Sequence, residues 1–495
     1  MKIIHFNAAL RLAEASLMDS ALAKSCDVRL IRDFMGRVRF AVNANESDVP
    51  ESLRNYLKES QIRLGAYAAD DDPLYRESFT FPDEFFSVEG WRIVARSRDD
   101  VASQDEDFDE SQLDESADSE ESEDSGVSAV TEDGETSFDG LNESEREADE
   151  PAQSTYLLLD RQITGHEWLH LKREEVKHPH RLVFFGLKGG VGRSTALCMT
   201  AWGLAQAGKR VLLVDFDLES PGLTGLLLPQ ERTAEFGVVD WLVEDAVGQG
   251  GSVLNGLVSA SPIGDSTLGA VRVVSAMGAG ETDYLSKLSR VYADVPGEAG
   301  PQHLGDRLRR LIETLEEMER PDVVLIDSRA GLHDLAAVSI TSLADTALLF
   351  ATDGFQTWNG YAQLFAHWQH RPEVARNVRE RLAIVRALMP KSGRESSGKS
   401  FASKSYSLFA ATLYDELPRA KKKPVVTDLD VDLFHPAIDD EAAPHHPIII
   451  DWDERFQEFD PTLRPENGGA TDAQIKASFG QLIEWVSARV SEVNL

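Results

Sequence analysis

The residues best able to do chemistry in this 495-residue chain lie in the run Phe184-Phe185-Gly186-Leu187-Lys188-Gly189-Gly190-Val191-Gly192-Arg193-Ser194-Thr195. An apolar strand pattern enters a glycine-rich turn and a helical pattern leaves it, which is the context a phosphate-binding loop requires. Glycines let the backbone approach an anion closely, and amides at the start of the helix, assisted by its dipole, point at the anion's oxygens. In such a loop every residue from Lys188 to Thr195, including Gly189, Gly190, Val191 and Gly192, is a candidate phosphate contact. Lys188 and Arg193 bring positive charge, Ser194 would supply a hydroxyl to Mg²⁺, and Thr195 can hydrogen-bond a phosphate. Two carboxylate-bearing strand ends follow in chain order. Val211-Leu212-Leu213-Val214 runs into Asp215-Phe216-Asp217, and Asp322-Val323-Val324-Leu325-Ile326 runs into Asp327. Strand ends of a parallel sheet face the crevice in which it binds ligands.

KGGVGRST resembles the KGGxGK[ST] loop of the deviant Walker A family of P-loop ATPases, which includes MinD, ParA and the nitrogenase iron protein, and the resemblance extends over roughly residues 181–490. It implies ATP and Mg²⁺ as cofactors, an ATPase activity, and a nucleotide-dependent homodimer in which Lys188 reaches across to the other subunit's phosphates. By the same resemblance Asp215 supports the Mg²⁺ site, Asp217 orients the attacking water, and Asp327 binds Mg²⁺ through water. The implied metal set is Ser194, Asp215 and Asp327, and the implied catalytic pair is Asp217 and Lys188. Phosphoryl transfer asks for in-line water, metal and positive charge held in place, and these residues fill those roles.

Two positions depart from the family pattern. Arg193 replaces the second lysine, and a planar, forked guanidinium is not equivalent to an ammonium at a tight phosphate site. It looks like the loop of a bacterial subgroup of KGGVGR-type variant ATPases, and slow hydrolysis, ordinary hydrolysis and binding without hydrolysis all stay open. Arg329, in Asp327-Ser328-Arg329-Ala330-Gly331, stands where the family commonly has proline in DxPxG; contact with phosphate, with a second subunit or with solvent are its three open readings. Glu219, Pro221 and Gly222 continue the first carboxylate loop, which could respond to a γ-phosphate. Family members read the base from loops after late strands, here 353–359 and 390–394.

Other motifs carry less. His166-Glu167-Trp168-Leu169-His170 matches HExxH, which on a helix sets two histidines on one face for zinc. Trp168 and Leu169 read instead as packing residues, and His178 and His180 give no known third-ligand spacing. The C-terminal pattern with Phe479, Leu482, Ile483, Trp485, Val486 and Val490 offsets Lys476 and Arg489 with Glu484 and Glu492, so it reads as a helix docked on a sheet rather than a basic membrane-surface helix. Bacterial tyrosine kinases share a similar fold, but their C-terminal tyrosine cluster has no counterpart after Tyr414.

The elements that must position the loop alternate in the βαβ manner that predicts an α/β domain with a mostly parallel sheet. Strands are predicted at 182–185, 210–216, 271–275, 323–326, 347–351, 382–387 and 448–450. Helices are predicted at 194–207, 304–319, 359–370, 405–417 and 472–493. Residues 1–98 show an amphipathic helix at 51–60 and an apolar run at 38–42, and predict a small α/β domain.

Charge is unevenly spread. Of a net −35, the segment Asp99–Glu150 carries 23 acids against one base, Arg146, with few large apolar residues. Such a stretch cannot bury enough surface to offset its ordering entropy and is predicted to be disordered. The apolar run at Tyr156-Leu157-Leu158-Leu159 makes it an insert within the N-terminal domain, whose final part is 151–178, before the ATPase domain at 179–495. The acidic balance argues against a broad nucleic-acid surface, and Arg419-Ala420-Lys421-Lys422-Lys423 reads as a solvated loop. No apolar run approaches a membrane span and the N-terminus shows no secretory pattern, so a cytoplasmic protein is expected. Cys26 and Cys198 read as plain thiols. The sequence therefore predicts an ATP-dependent dimerisation switch serving a protein partner read by the N-terminal domain, with a non-hydrolysing nucleotide-binding scaffold as the alternative.

Overall fold

The computed structural model describes residues 6–18, 20–33, 35–87, 91–96, 154–160, 165–169, 178–279, 283–297, 300–417, 433–457, 459–463 and 465–492. The acidic segment 99–150, His170 and the basic run 419–423, on which three of the sequence readings fall, lie outside these residues. The chain divides into two compact units, Met1–Ile163 and Thr164–Leu495.

In the first unit α1 (Phe6–Met18) and α2 (Glu51–Arg63) pack on a four-stranded sheet formed by β1 (Val28–Arg32), β2 (Val38–Val42), β3 (Arg92–Arg96) and β4 (Ser154–Asp160). Its order is β2-β1-β4-β3. β4 lies parallel to β1 and antiparallel to β3, so strands on either side of the acidic segment pair with one another as the apolar run at 156–159 suggested. Leu30, Phe40, Leu53, Leu57 and Leu158 form one core, and Ile31, Phe86 and Trp91 a smaller one on the opposite face.

The second unit is built on an eight-stranded sheet. Its strands are β5 (His180–Gly186), β6 (Arg210–Phe216), β7 (Val258–Ala260), β8 (Ala270–Val274), β11 (Val323–Ser328), β12 (Thr346–Ala351), β13 (Leu382–Met389) and β14 (Ile448–Asp451), while β9 (Val295–Gly297) and β10 (Gly300–Gln302) make a separate hairpin. The order is β14-β13-β12-β5-β11-β6-β8-β7, and every pair is parallel except the edge pair β7–β8. Both faces are covered, which is why the central strands read as continuous apolar runs rather than alternating ones. Alternation still sorts them by face. Val183 and Phe185 enter one core; Leu182 and Phe184 enter the other, beneath α3 (Arg193–Gln206).

The helices that matter to the site are α4 (Val238–Ala246), α5 (Tyr284–Val291), α6 (Leu304–Glu319), α7 (Phe355–Gln369), α8 (Pro372–Arg379), α9 (Arg394–Thr412) and α10 (Asp472–Glu492). α10 docks as expected: Ile475, Phe479, Leu482, Val486 and Val490 are buried in the same core as α3, and Ile483 approaches Gly203. Among the described residues no helix is long and apolar enough to cross a membrane.

Two expectations change, and the HExxH segment packs as read. Trp168, assigned to the first domain, packs in the core of the second unit against Phe185 and Trp368, whose indole N–H donates to the Trp168 carbonyl at 2.9 Å. His166–Leu169 is a four-residue 3₁₀ turn, not the helix that an HExxH zinc site needs. The helix predicted at 405–417 runs from Arg394 to Thr412, because the serine-rich start, RESSGKS, has no apolar periodicity to betray it.

Candidate functional site: a glycine loop and two strand-end carboxylate loops

β5 is a central strand lying between β12 and β11, and the glycine loop leaves its C-terminal end. Gly190 and Gly192 take φ of +74° and +78°, a region that side chains disfavour. A Cβ added at Gly189 or Gly190 would meet nothing within 4 Å, so the loop's outer side is open to a ligand. Gly192 is the N-cap of α3 and offers no side-chain cap, which leaves the first amides of the helix for an incoming acceptor. Lys188 is exposed at the loop's rim, whereas Val191 is buried and pins the loop onto Gly186.

Strand pairing aligns the two carboxylate loops. β11 lies parallel to β6 with Asp327 opposite Asp215, so both loops leave the sheet side by side, next to the glycine loop. The Ser194 hydroxyl donates to Asp327 Oδ2 at 2.8 Å. Asp215 is fully buried and accepts from the Asp217 amide at 3.0 Å and the Leu223 amide at 3.2 Å, so it shapes the turn that presents Asp217. Burial, then the charge of Asp327, holds the Asp215 carboxyl well above the ordinary carboxylate range.

Arg193 does not extend into the open loop. It is buried, with Nε 2.6 Å from Asp327 Oδ1 and Nη2 3.0 Å from Asp217 Oδ2. Burial opposes its charge, but Asp327 and Asp217 more than offset that and raise its affinity for the proton. Its buried Nη1 has no hydrogen-bond partner among the described residues. Sequence reasoning counted Arg193 only as phosphate charge; its pairing with carboxylates 24 and 134 positions away has no local signal.

A cavity of about 600 Å³ adjoins the loop. Lys188–Thr195 forms one side, and Leu388, Ile450, Trp452, Asp453, Phe456 and Phe479 are among the residues of the other. The base-reading loops expected at 353–359 and 390–394 are therefore not its wall; the segment after β14 is. That segment follows only a four-residue strand and carries no motif, so composition could not single it out. Leu388 lines the cavity with φ +54°, a conformation rare for a bulky residue, at the point where the β13–β14 register shifts.

A parallel strand, a glycine loop and a helix whose second residue hydrogen-bonds the aspartate ending a neighbouring strand decide the class of site. The second unit has a P-loop NTPase fold. Residues 180–254 match a family model described as an AAA domain, a span that includes the glycine loop, β6, Asp215 and Asp217. No curated protein matches the chain. Among solved structures, a ParA family ATPase from Chlorobium tepidum TLS aligns at 14% identity over 62% of this chain and 98% of its own, with a TM-score of 0.38. The structure of pNOB8 ParA bound to nonspecific DNA aligns at 13% identity over 64% and 98%, TM-score 0.37. Cobyrinic acid a,c-diamide synthase from Mycobacterium smegmatis, with bound ATP analog and magnesium, aligns at 18% identity over 46% and 82%, TM-score 0.34.

Proposed function

We propose that this protein is an ATP-dependent dimerisation switch: nucleotide bound at Lys188–Thr195 closes two chains together, and slow hydrolysis reopens them for a protein partner read by the N-terminal unit. The observation that carries the reading is the Ser194–Asp327 hydrogen bond beside an open glycine loop and a cavity of nucleotide size. The Ser194 hydroxyl and the Asp327 carboxylate are hard oxygen donors suited to Mg²⁺, which binds through one or two carboxylates together with substrate phosphates, while Asp215, buried with both oxygens accepting backbone amides, supports the site by shaping its turn. Bound there, the ion would offset phosphate charge. Asp217 is the residue assigned to orient water, and Lys188, exposed at the rim, the one assigned to reach a second subunit.

One observation favours the second reading, a nucleotide-binding scaffold that does not hydrolyse. Arg193 already holds Asp217 in a buried ion pair, and a carboxylate so held is poorly placed to orient water. The deciding experiment is release of inorganic phosphate from ATP with Mg²⁺, in wild type and Asp217→Ala, alongside direct nucleotide binding. Turnover that Asp217→Ala removes supports the switch. Binding without turnover supports the scaffold, and no binding to any nucleotide contradicts both.

A further inference from the structure

Beyond Arg193, a second set of side chains ties the same two loops together. Glu219 lies two residues after Asp217, and Arg329 two residues after Asp327. The Arg329 guanidinium pairs with the Glu219 carboxylate through Nη1 and Oε2. The other carboxylate oxygen of Glu219 accepts from the Tyr292 hydroxyl and lies 3.7 Å from His333 Nε2. His333 in turn caps the short helix Asp334–Ala337, accepting from the Leu335 amide through Nδ1 at 3.3 Å. The Tyr292 and His333 rings meet edge to face at 5.3 Å. α5 braces the arrangement from outside. Tyr284 donates to the Leu218 carbonyl at 2.6 Å, and Tyr292 follows the helix's last residue.

Glu219, Arg329 and His333 are each about a quarter to a third exposed, so the contact is neither a fully solvated surface pair nor a sealed core pair. Single exposed ion pairs contribute little, but one carboxylate shared by a guanidinium and a phenol, with an imidazole close by, ties both groups at once. The loop after β11 is also fixed to the glycine loop's own strand, since the Gly331 amide donates to the Gly186 carbonyl at 3.0 Å. The loop after β11 is thus held to the loop after β6 through Glu219 and to the end of β5 through Gly331.

We propose that Glu219 and Arg329 form a clasp that makes the two carboxylate loops move as one unit, and that both are positioning residues for Asp217 and Asp327. Arg329, whose readings as a contact for phosphate, a second subunit or solvent stay open, is here paired with the neighbouring loop. The inference deepens the switch reading by naming how its loops are joined. Its test uses ligand-free protein, so it can fail or succeed independently of that reading.

The test is amide hydrogen exchange, followed by mass spectrometry, on the full ligand-free chain. In Arg329→Ala, exchange should rise at least about tenfold both in residues 329–335 and across the chain gap in residues 217–223, with β5 and β6 unchanged. Glu219→Gln should give the same two-loop pattern, Arg329→Lys should restore protection in both loops, and the Glu219→Gln/Arg329→Ala double variant should be no faster than either single one. Acceleration confined to the mutated loop overturns the clasp. So does acceleration that spreads equally into β5 and β6, or that Arg329→Lys fails to reverse, because either would mark a general loss of stability.

Discussion

Arg193, in the loop that should receive phosphate, is joined to Asp327 at the end of β11 by a buried ion pair, Nε to Oδ1 at 2.6 Å. The guanidinium spans to Asp217 as well, so one cation holds the carboxylates of both strand-end loops. Removing it would leave two buried acids without a counter-charge.

Arg193→Ala should therefore lower the unfolding free energy of the ligand-free protein by about 3 kcal/mol, the usual scale for breaking a buried pair from one side. Urea denaturation followed by tryptophan fluorescence would measure it. An unchanged midpoint would mean that the carboxylates do not need Arg193 in the folded state.

Ser194→Ala removes the hydroxyl that donates to Asp327 and the oxygen expected at the metal. The lost hydrogen bond should cost about 1 kcal/mol of stability. The larger effect should be on ligand binding: the gain in ATP affinity on adding Mg²⁺ to wild type should shrink at least tenfold in the variant, as read by isothermal titration with and without the ion. An equal gain in both would remove Ser194 from the metal set.

The packing of α10 can be tested through Gly203 on α3. A Cβ there would sit 2.5 Å from Ile483 Cγ2. Gly203→Ala should destabilise the protein by about 1–3 kcal/mol through overpacking, and combined with Ile483→Ala, which removes Cγ2, it should cost less than the sum of the two single variants. Full tolerance of the alanine would contradict the close approach of the two helices.

Much of the sheet was legible because a buried parallel strand leaves a compact signature. Arg210–Phe216 was read from its apolar run with its observed limits, and the strands beginning at Leu182, Val323 and Leu382 were placed within a few residues. α6 was also read at its full length because Leu304, Leu308, Leu311, Ile312 and Leu315 keep helical spacing on one buried face. Elements whose support is tertiary were not legible. α4, α5 and α8 are short helices stabilised by neighbours, such as Lys287 on Asp240 at 2.6 Å and Arg379 on Asp415 at 2.9 Å. At the site, glycines and aspartates announced themselves by type and spacing. The partners of Arg193, the Glu219–Arg329 pair and the cavity wall after β14 did not, since each joins segments far apart in the chain.

His445 gives the account a pH dependence. It is buried between the Tyr414 hydroxyl, 2.6 Å from Nδ1, and the Ile438 carbonyl, 3.2 Å from Nε2, so the neutral ring with hydrogen on Nε2 satisfies both. Burial depresses its pKa below the ordinary 6.5. The unfolded chain then takes up a proton that the folded one resists, so stability should be constant above about pH 6.5 and fall as pH drops through it. Comparing urea midpoints at pH 7.5 and 5.5, His445→Gln should show a smaller drop than wild type; an equal drop would contradict the assignment.

The central claim is that nucleotide closes two chains through Lys188. The most direct measurement is solution mass by light scattering with no nucleotide, with ADP and with ATP plus Mg²⁺, for wild type and Lys188→Ala. The account predicts a monomer that becomes a dimer only with ATP in wild type, and a variant that still binds ATP but stays monomeric. A wild-type mass that ATP leaves unchanged, or a Lys188→Ala variant that dimerises like wild type, would contradict it.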